Sequence, residues 1–208
     1  MNRAIQDRLA LMNPDVAVLT EARLGLLDHW PHKNLAGGGR YPGTPDDGSK
    51  VAIVAKRKLT IVDHGTDDKL VTRNFLAVDL ETEGAPLRVI GIVVRFRQIA
   101  AFIGQLPAVL ERTVVDDRTV LAGDFNLWIP GGPRSAQLLR VLENAGLAVR
   151  TGGTHGQLEG ERPLIDHIAP SHTLEVADLD VWPRQDPGYE NGTAEITDHA
   201  SAALTVIA

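Results

Sequence analysis

The spacing of apolar positions divides the chain into short regular pieces. Ile5, Leu9 and Met12 fall at i, i+4 and i+7, one face of a helix, and Asn13-Pro14-Asp15 is a stop signal for it. "VAVLT" (16–20) predicts a short buried strand ending at Glu21. From about 23 to 49 the chain is rich in Gly, Pro, His and Asp, including "LAGGGRYPGTPDDGSK", and predicts one long loop of the kind that often carries function. Four strand-like pieces follow: "KVAIVAK" (50–56), "LTIVDH" (59–64), "RNFLAVDLET" (73–82) and "LRVIGIVVRF" (87–96). In the third, Leu76, Val78 and Leu80 alternate with Phe75, Ala77 and Asp79, which lets one face be wet. The fourth is nearly continuously apolar, as for a strand covered on both faces.

Ile99, Phe102, Ile103, Leu106, Val109 and Leu110 mark a helix, and Pro107 inside it predicts a kink or two short helices. "RTVLAG" (118–123) is another buried strand. Leu138, Leu139, Leu142 and Ala145 make a second amphipathic helix with Gly146 as its C-terminal stop. Three more strands are expected near 164–169, 173–182 and 197–206. With no internal repeat and no low-complexity linker, the pattern reads as one layered α/β domain over 1–208.

Composition adds mainly exclusions. At 208 residues the chain is long enough for one well-buried core. Its 21 Lys and Arg against 27 Asp and Glu give a net charge of -6, so no general attraction to nucleic acid or anionic lipid is built in; a local basic patch is still allowed. The absence of cysteine removes disulfides, thiolate metal sites and cysteine nucleophiles together. Apolar residues at the N-terminus are interleaved with Arg3, Asp7 and Arg8, unlike a secretory signal, and no apolar run approaches the ~20 residues of a membrane span. A soluble, cytoplasmic protein is expected.

The candidate chemistry collects at strand ends. Glu21 follows "VAVLT"; Asp124 and Asn126 follow "TVLAG"; Asp166 and His167 lie inside "PLIDHIAPS"; Asp198 and His199 head "ITDHASAALTV". Carboxylates that converge there can hold a hard cation through oxygen, and a histidine beside them can contact phosphate or act as acid or base. Each has a bland counterpart. Glu21 alone reads as a surface residue, "GDFN" as a turn, and "TDH" as a cap. A charge at Asp166 inside an apolar strand is costly unless it is paired.

Taken in order and spacing, "NPDVAVLTE" (13–21), "KVAIVAK" (50–56), "AGDFN" (122–126), "LIDHIAPS" (164–171) and "ITDHASAALTV" (196–206) resemble the endonuclease/exonuclease/phosphatase superfamily of metal-dependent phosphoesterases. The resemblance implies a four-layered α/β/β/α sandwich of two mixed β-sheets flanked by helices, with the site at one sheet edge. It implies Glu21 and Asp198 as ligands of Mg²⁺ or Mn²⁺, and Asp124 as the group that activates or positions the attacking water. Asn126 would orient phosphate or water, and Asp166 would hold the His199 imidazole against the scissile phosphate. The expected activity is hydrolysis of phosphodiesters by direct water attack, as an endo- or exonuclease, with nucleic acid or another phosphoester as substrate. The alternatives are a catalytically weak binding or scaffold relative, and a phosphatase of a small or lipid-derived phosphoester.

Two departures from the family pattern stand out. The chain begins directly with the helix, so the family's first strand and its Asn have no counterpart, and a partner chain is one way to complete the sheet. The strand "LRVIGIVVRF" places Val93 where the family usually has a His or Tyr, and valine neither donates a hydrogen bond nor a proton. Arg95 or Arg97 could contact an anion there but cannot act as an acid at neutral pH, and His167 is a further candidate substrate contact. His29 and His32 in "DHWPHK" have a spacing that could bind metal, with Lys33 and Arg40 as anion contacts, but are read as solvated loop residues; Trp30 and Trp128 could stack on a base and are read as core or rim packing; "GERP" could bring Arg162 near the site; His64, His155 and His172 are read as structural or exposed.

Overall fold

A computed structural model describes residues 3–23, 25, 27–36, 48–63, 75–155, 163–183 and 201–207. The expected first helix is α1 (Arg3–Met12), and it leads into β1 (Val16–Arg23). Then come β2 (His32–Ala36), β3 (Gly48–Ala55), β4 (Leu59–Asp63), β5 (Phe75–Leu80) and β6 (Leu87–Val93). α2 (Ile99–Arg112), β7 (Thr119–Asp124) and α3 (Pro133–Asn144) precede β8 (Asp166–Pro170), β9 (Glu175–Trp182) and β10 (Ser201–Ile207).

Among the described residues the strands form three sheets. A five-stranded sheet runs β4-β5-β6-β7-β8, antiparallel throughout except for the parallel pair β6–β7. β1-β3-β2 form an antiparallel sheet with β1 at its edge, and β9–β10 form an antiparallel ribbon. The larger sheet is therefore the mixed one. Period-two alternation sorts its side chains into two cores. Phe75, Ala77, Ile90, Ile92, Leu121 and Ala169 pack under α2 and α3. Leu76, Val78, Val89, Val93 and Val120 pack instead against Val51, Ile53 and Ala55 of β3, with Val206 of β10 at the margin. Helices, sheet and second sheet are thus stacked in layers, and on the far face of the second sheet Leu27 and Trp30 cover Ala52 and Val54.

Two expectations are corrected. The long loop expected over 23–49 contains β2, whose His-Lys-Asn-Leu-Ala sequence has no strand signature of its own. It is recruited by register, from His32 opposite Ala55 to Ala36 opposite Val51. Of the two outcomes expected at Pro107, a split into two short helices is overturned, since α2 is continuous from 99 to 112. Proline inside a helix costs about 3 kcal/mol, but here the ring is exposed. Ile99, Phe102, Ile103, Leu106, Val109 and Leu110 on the opposite face are all buried, and burial of each large apolar side chain contributes about 1.5–3 kcal/mol.

The C-terminal end of α2 is tied to the sheet by Arg88 of β6. Its guanidinium donates to both oxygens of Asp79 on β5, at 2.9 and 3.1 Å, and to the carbonyls of Thr113 and Val114 just past the helix. A cation is favoured at a helix C-terminus, where carbonyls lack partners. Arg88→Ala leaves that half-buried carboxylate and those carbonyls unpaired. It is expected to lower the unfolding free energy by about 2–3 kcal/mol, measured by urea denaturation.

Candidate active site

The segment "AGDFN" can bend as it does because of the residue before the carboxylate. Gly123 has φ +136°, and a Cβ there would lie 2.1 Å from the Ile92 carbonyl oxygen of β6. Any larger residue would push the two parallel strands apart. Asp124, the last residue of β7, follows directly and is buried. The register puts Val93 of β6 opposite Asp124, and Asp124 opposite Asp166 of β8, so the three lie in one row across three strands. All share the alternation of Val89, Val120 and Ile168, and so face the second sheet.

Asp124 and Asn126 form a single unit. Asp124 Oδ1 accepts the Asn126 backbone N–H at 2.7 Å, an Asx-type turn, and Asn126 sits at φ 49°, which asparagine tolerates better than most residues. The bland reading of "GDFN" as a turn is therefore correct as far as it goes. The Asn126 amide then donates one proton to Asp124 Oδ2 at 2.6 Å and the other to the Val94 carbonyl at 2.7 Å. Since both of those partners only accept, the nitrogen must face them. The atom left to a ligand is Oδ1, an acceptor. A reciprocal bond from Val94 N–H to the Asp124 carbonyl, 2.8 Å, locks the segment after β6 to the end of β7.

Glu21 lies on the other sheet, near the C-terminal end of β1, a strand that packs across β6 and β7. It is exposed, with φ 54°. Val16 and Val18 face the inter-sheet core and Ala17 and Leu19 the outer one, yet Ala22 is again on the outer side. The alternation is therefore reset around Glu21, where the positive φ falls. A non-glycine residue in this conformation costs about 1–3 kcal/mol, a cost that clusters at functional sites.

His167, expected as a substrate contact, points the other way. It alternates with Asp166, so it faces the helices, and it is 1% exposed, edge-on to Phe125. Its Nε2 lies 2.9 Å from the Leu127 carbonyl, which only accepts, so Nε2 carries the proton. Nδ1 then accepts from the Thr151 hydroxyl at 3.1 Å, and that oxygen accepts the Ile168 N–H at 3.0 Å. Burial holds the imidazole below its usual pKa, opposed mainly by the Leu127 carbonyl. Both nitrogens serve the protein, and the ring anchors the loop that follows Asn126. Thr151 has no sequence signal that could have found it, because it meets His167 only through the fold.

Arg95 stands exposed on the rim directly after Val94. Asp198 and His199, with Arg40, Arg162 and His64, lie outside the described residues. Among the described residues no group of three or more His, Cys, Asp or Glu is gathered to hold a metal ion. The donors that can be described, carboxylate and amide oxygens, are those that suit a hard divalent cation. Trp30 is buried, and its indole N–H has no partner among the described residues. Trp128 is 41% exposed. No described helix is long and apolar enough to cross a membrane.

Several solved structures share this fold. The endonuclease domain of TRAS1, a telomere-specific non-LTR retrotransposon, superposes with a TM-score of 0.70 at 15% identity, over 97% of this chain and 89% of that one. The 3'-5' exonuclease NExo from Neisseria meningitidis gives 0.64 at 20% identity, over 98% and 93%. Staphylococcus aureus beta toxin with bound magnesium ions gives 0.60 at 15%, over 96% and 86%. No curated protein matches the chain by sequence. The profile of the endonuclease/exonuclease/phosphatase family, however, matches residues 2–199, a span that holds the "AGDFN" turn and the carboxylate row alike. This chain belongs to the endonuclease/exonuclease/phosphatase family.

Proposed function

We propose that the protein is a divalent-metal-dependent phosphoesterase that hydrolyses phosphodiester bonds, as an endo- or exonuclease, by direct attack of water. The observation that carries the reading is the Asp124–Asn126 unit beside Asp166. A buried carboxylate is held by both oxygens at the end of a strand, where no packing requirement explains it.

In this reading Asp124 accepts the proton of the attacking water. Asn126 keeps that carboxylate in one orientation and, through Oδ1, accepts from the same water. It does not donate to phosphate, since its amide protons are already committed. Asp166 holds His199, whose imidazole would stabilise charge developing on the phosphoryl oxygens. Glu21 and Asp198 would hold Mg²⁺ or Mn²⁺, which when bound supplies Lewis-acid polarisation of the phosphate. Val93 is packed in the inter-sheet core and contributes no donor. Loss of one such donor typically costs about 10²–10³ in rate. Arg95, two residues past Val93 and beyond the end of β6, is the nearest cation in sequence and would serve as an anion contact. An edge strand can also accept a further strand by backbone pairing, so a partner chain adding along β1 belongs to this proposal.

Purified protein stripped with EDTA is expected to leave single-stranded DNA, double-stranded DNA and a generic phosphodiester intact, and to cleave at least one when Mg²⁺ or Mn²⁺ is restored. Equal turnover with and without chelator would rule the mechanism out. Val93 motivates a second reading, a binding or scaffold relative. Calorimetry separates the two, because absence of any heat of binding at millimolar metal favours the scaffold.

A further inference from the structure

Two aromatic side chains are held out to solvent beside Asp124 and Asn126. Phe96 is 72% exposed and Trp128 41%. Neither is exposed because its backbone is loose. Val94, two residues before Phe96, is buried and bonded to both Asp124 and Asn126; Ile99, three residues after, is the buried first residue of α2. Between them the Gln98 N–H closes a turn on the Arg95 carbonyl at 2.7 Å. Trp128 is framed in the same way. The Leu127 carbonyl is bonded to His167, and Ile129 is buried with its carbonyl accepting the Gly153 N–H at 2.6 Å. Gly131 folds back so closely that a Cβ there would lie 2.3 Å from the Trp128 carbonyl oxygen. Each loop is fastened on both sides of its ring, so the backbone that carries each ring has little freedom left to lose on binding.

Charge qualifies the surface. In a chain of net charge -6, Phe96 stands between two exposed guanidiniums, Arg95 and Arg97, and neither has a carboxylate partner among the described residues. Aromatic faces interleaved with arginine are what unstacked nucleobases on a phosphate backbone require. A duplex keeps its base faces covered, so such rings favour a single strand.

We propose that Arg95, Phe96, Arg97 and Trp128 form a base-stacking rim that makes single-stranded nucleic acid the substrate of this site. The proposal rests on the phosphoesterase reading for its chemistry, but binding tests it separately. The probes are a fluorescently labelled oligothymidylate, an abasic deoxyribose-phosphate oligomer of equal length, and vesicles of phosphatidylcholine with sphingomyelin. Anisotropy is read in EDTA, where the metal-dependent mechanism predicts no turnover. The wild type is expected to prefer the base-bearing oligomer. Phe96→Ala and Trp128→Ala should each weaken oligothymidylate binding by roughly 5- to 100-fold and bring the ratio to the abasic oligomer toward one. Thermal melting should stay at the wild-type value, since both rings are exposed. An unchanged ratio in the variants, no preference in the wild type, or a loss confined to vesicle binding would overturn the rim. If the rim behaves as expected while no metal restores cleavage, the catalytic reading fails and the binding site stands.

Discussion

Asp124→Asn is expected to lower the rate of metal-dependent phosphodiester hydrolysis by about 10²–10⁴-fold, the range over which a positioned general base contributes. The change keeps the volume of a buried side chain but removes the proton acceptor. It also disturbs the neighbour. The carboxylate oxygens receive the Asn126 backbone N–H and one Asn126 amide proton, so an amide at 124 must turn its own donor toward one of those donors. Asn126 would then leave the Val94 carbonyl or swing away from residue 124. The fall should appear in kcat with KM little changed, as for an interaction that matters in the transition state. Circular dichroism separates lost chemistry from lost fold. An unchanged kcat in a folded Asp124→Asn protein would remove Asp124 from the mechanism.

Stability is expected to fall as pH drops below about 6.5, and His167 is the reason. Burial lowers its pKa in the folded protein; the Leu127 carbonyl, Asp166 and Thr151 oppose this and His155 adds slightly to it. Above the unfolded value of 6.5 both states carry a neutral ring and the group contributes no slope. Below it the unfolded chain binds a proton that the folded chain refuses until its own lower pKa is reached. The unfolded state then holds more protons, so stability declines with falling pH, by at most about 1.4 kcal/mol per unit from this group. His167→Phe fills the space but takes the donor from the Leu127 carbonyl and the acceptor from the Thr151 hydroxyl proton. It should cost about 2–4 kcal/mol near pH 8 and abolish this part of the slope. Urea denaturation of both proteins from pH 5 to 8 checks the two expectations together; parallel pH profiles would show that His167 is not the titrating group.

Much of the fold is readable from local pattern. The strands that became β3 to β10 announce themselves by apolar runs, and the carboxylates stand out because they interrupt such runs at the ends. β2 was not readable. His32 to Ala36 has no apolar alternation, and it is a strand only because β3 offers it an edge. α2 persists through Pro107 because six buried side chains outweigh one proline, a balance that exists only once the sheet is beneath them. The exposure of Phe96 was no more visible, although its place between two arginines at the end of an apolar strand was the available signal.

The sequence alone determined the family, the order of the strands other than β2 and the residue types at their ends, since these depend on residue types and spacings that a linear chain preserves. Tertiary structure decided which way those groups face. Asp166 and His167 are adjacent and equally polar, and alternation says only that they point to opposite sides. Packing of the five-stranded sheet between helices and the second sheet turned Asp166 toward Asp124 and sent His167 into the core. The same packing committed the Asn126 amide to Val94, and pinned the two loops whose aromatic rings remain outside.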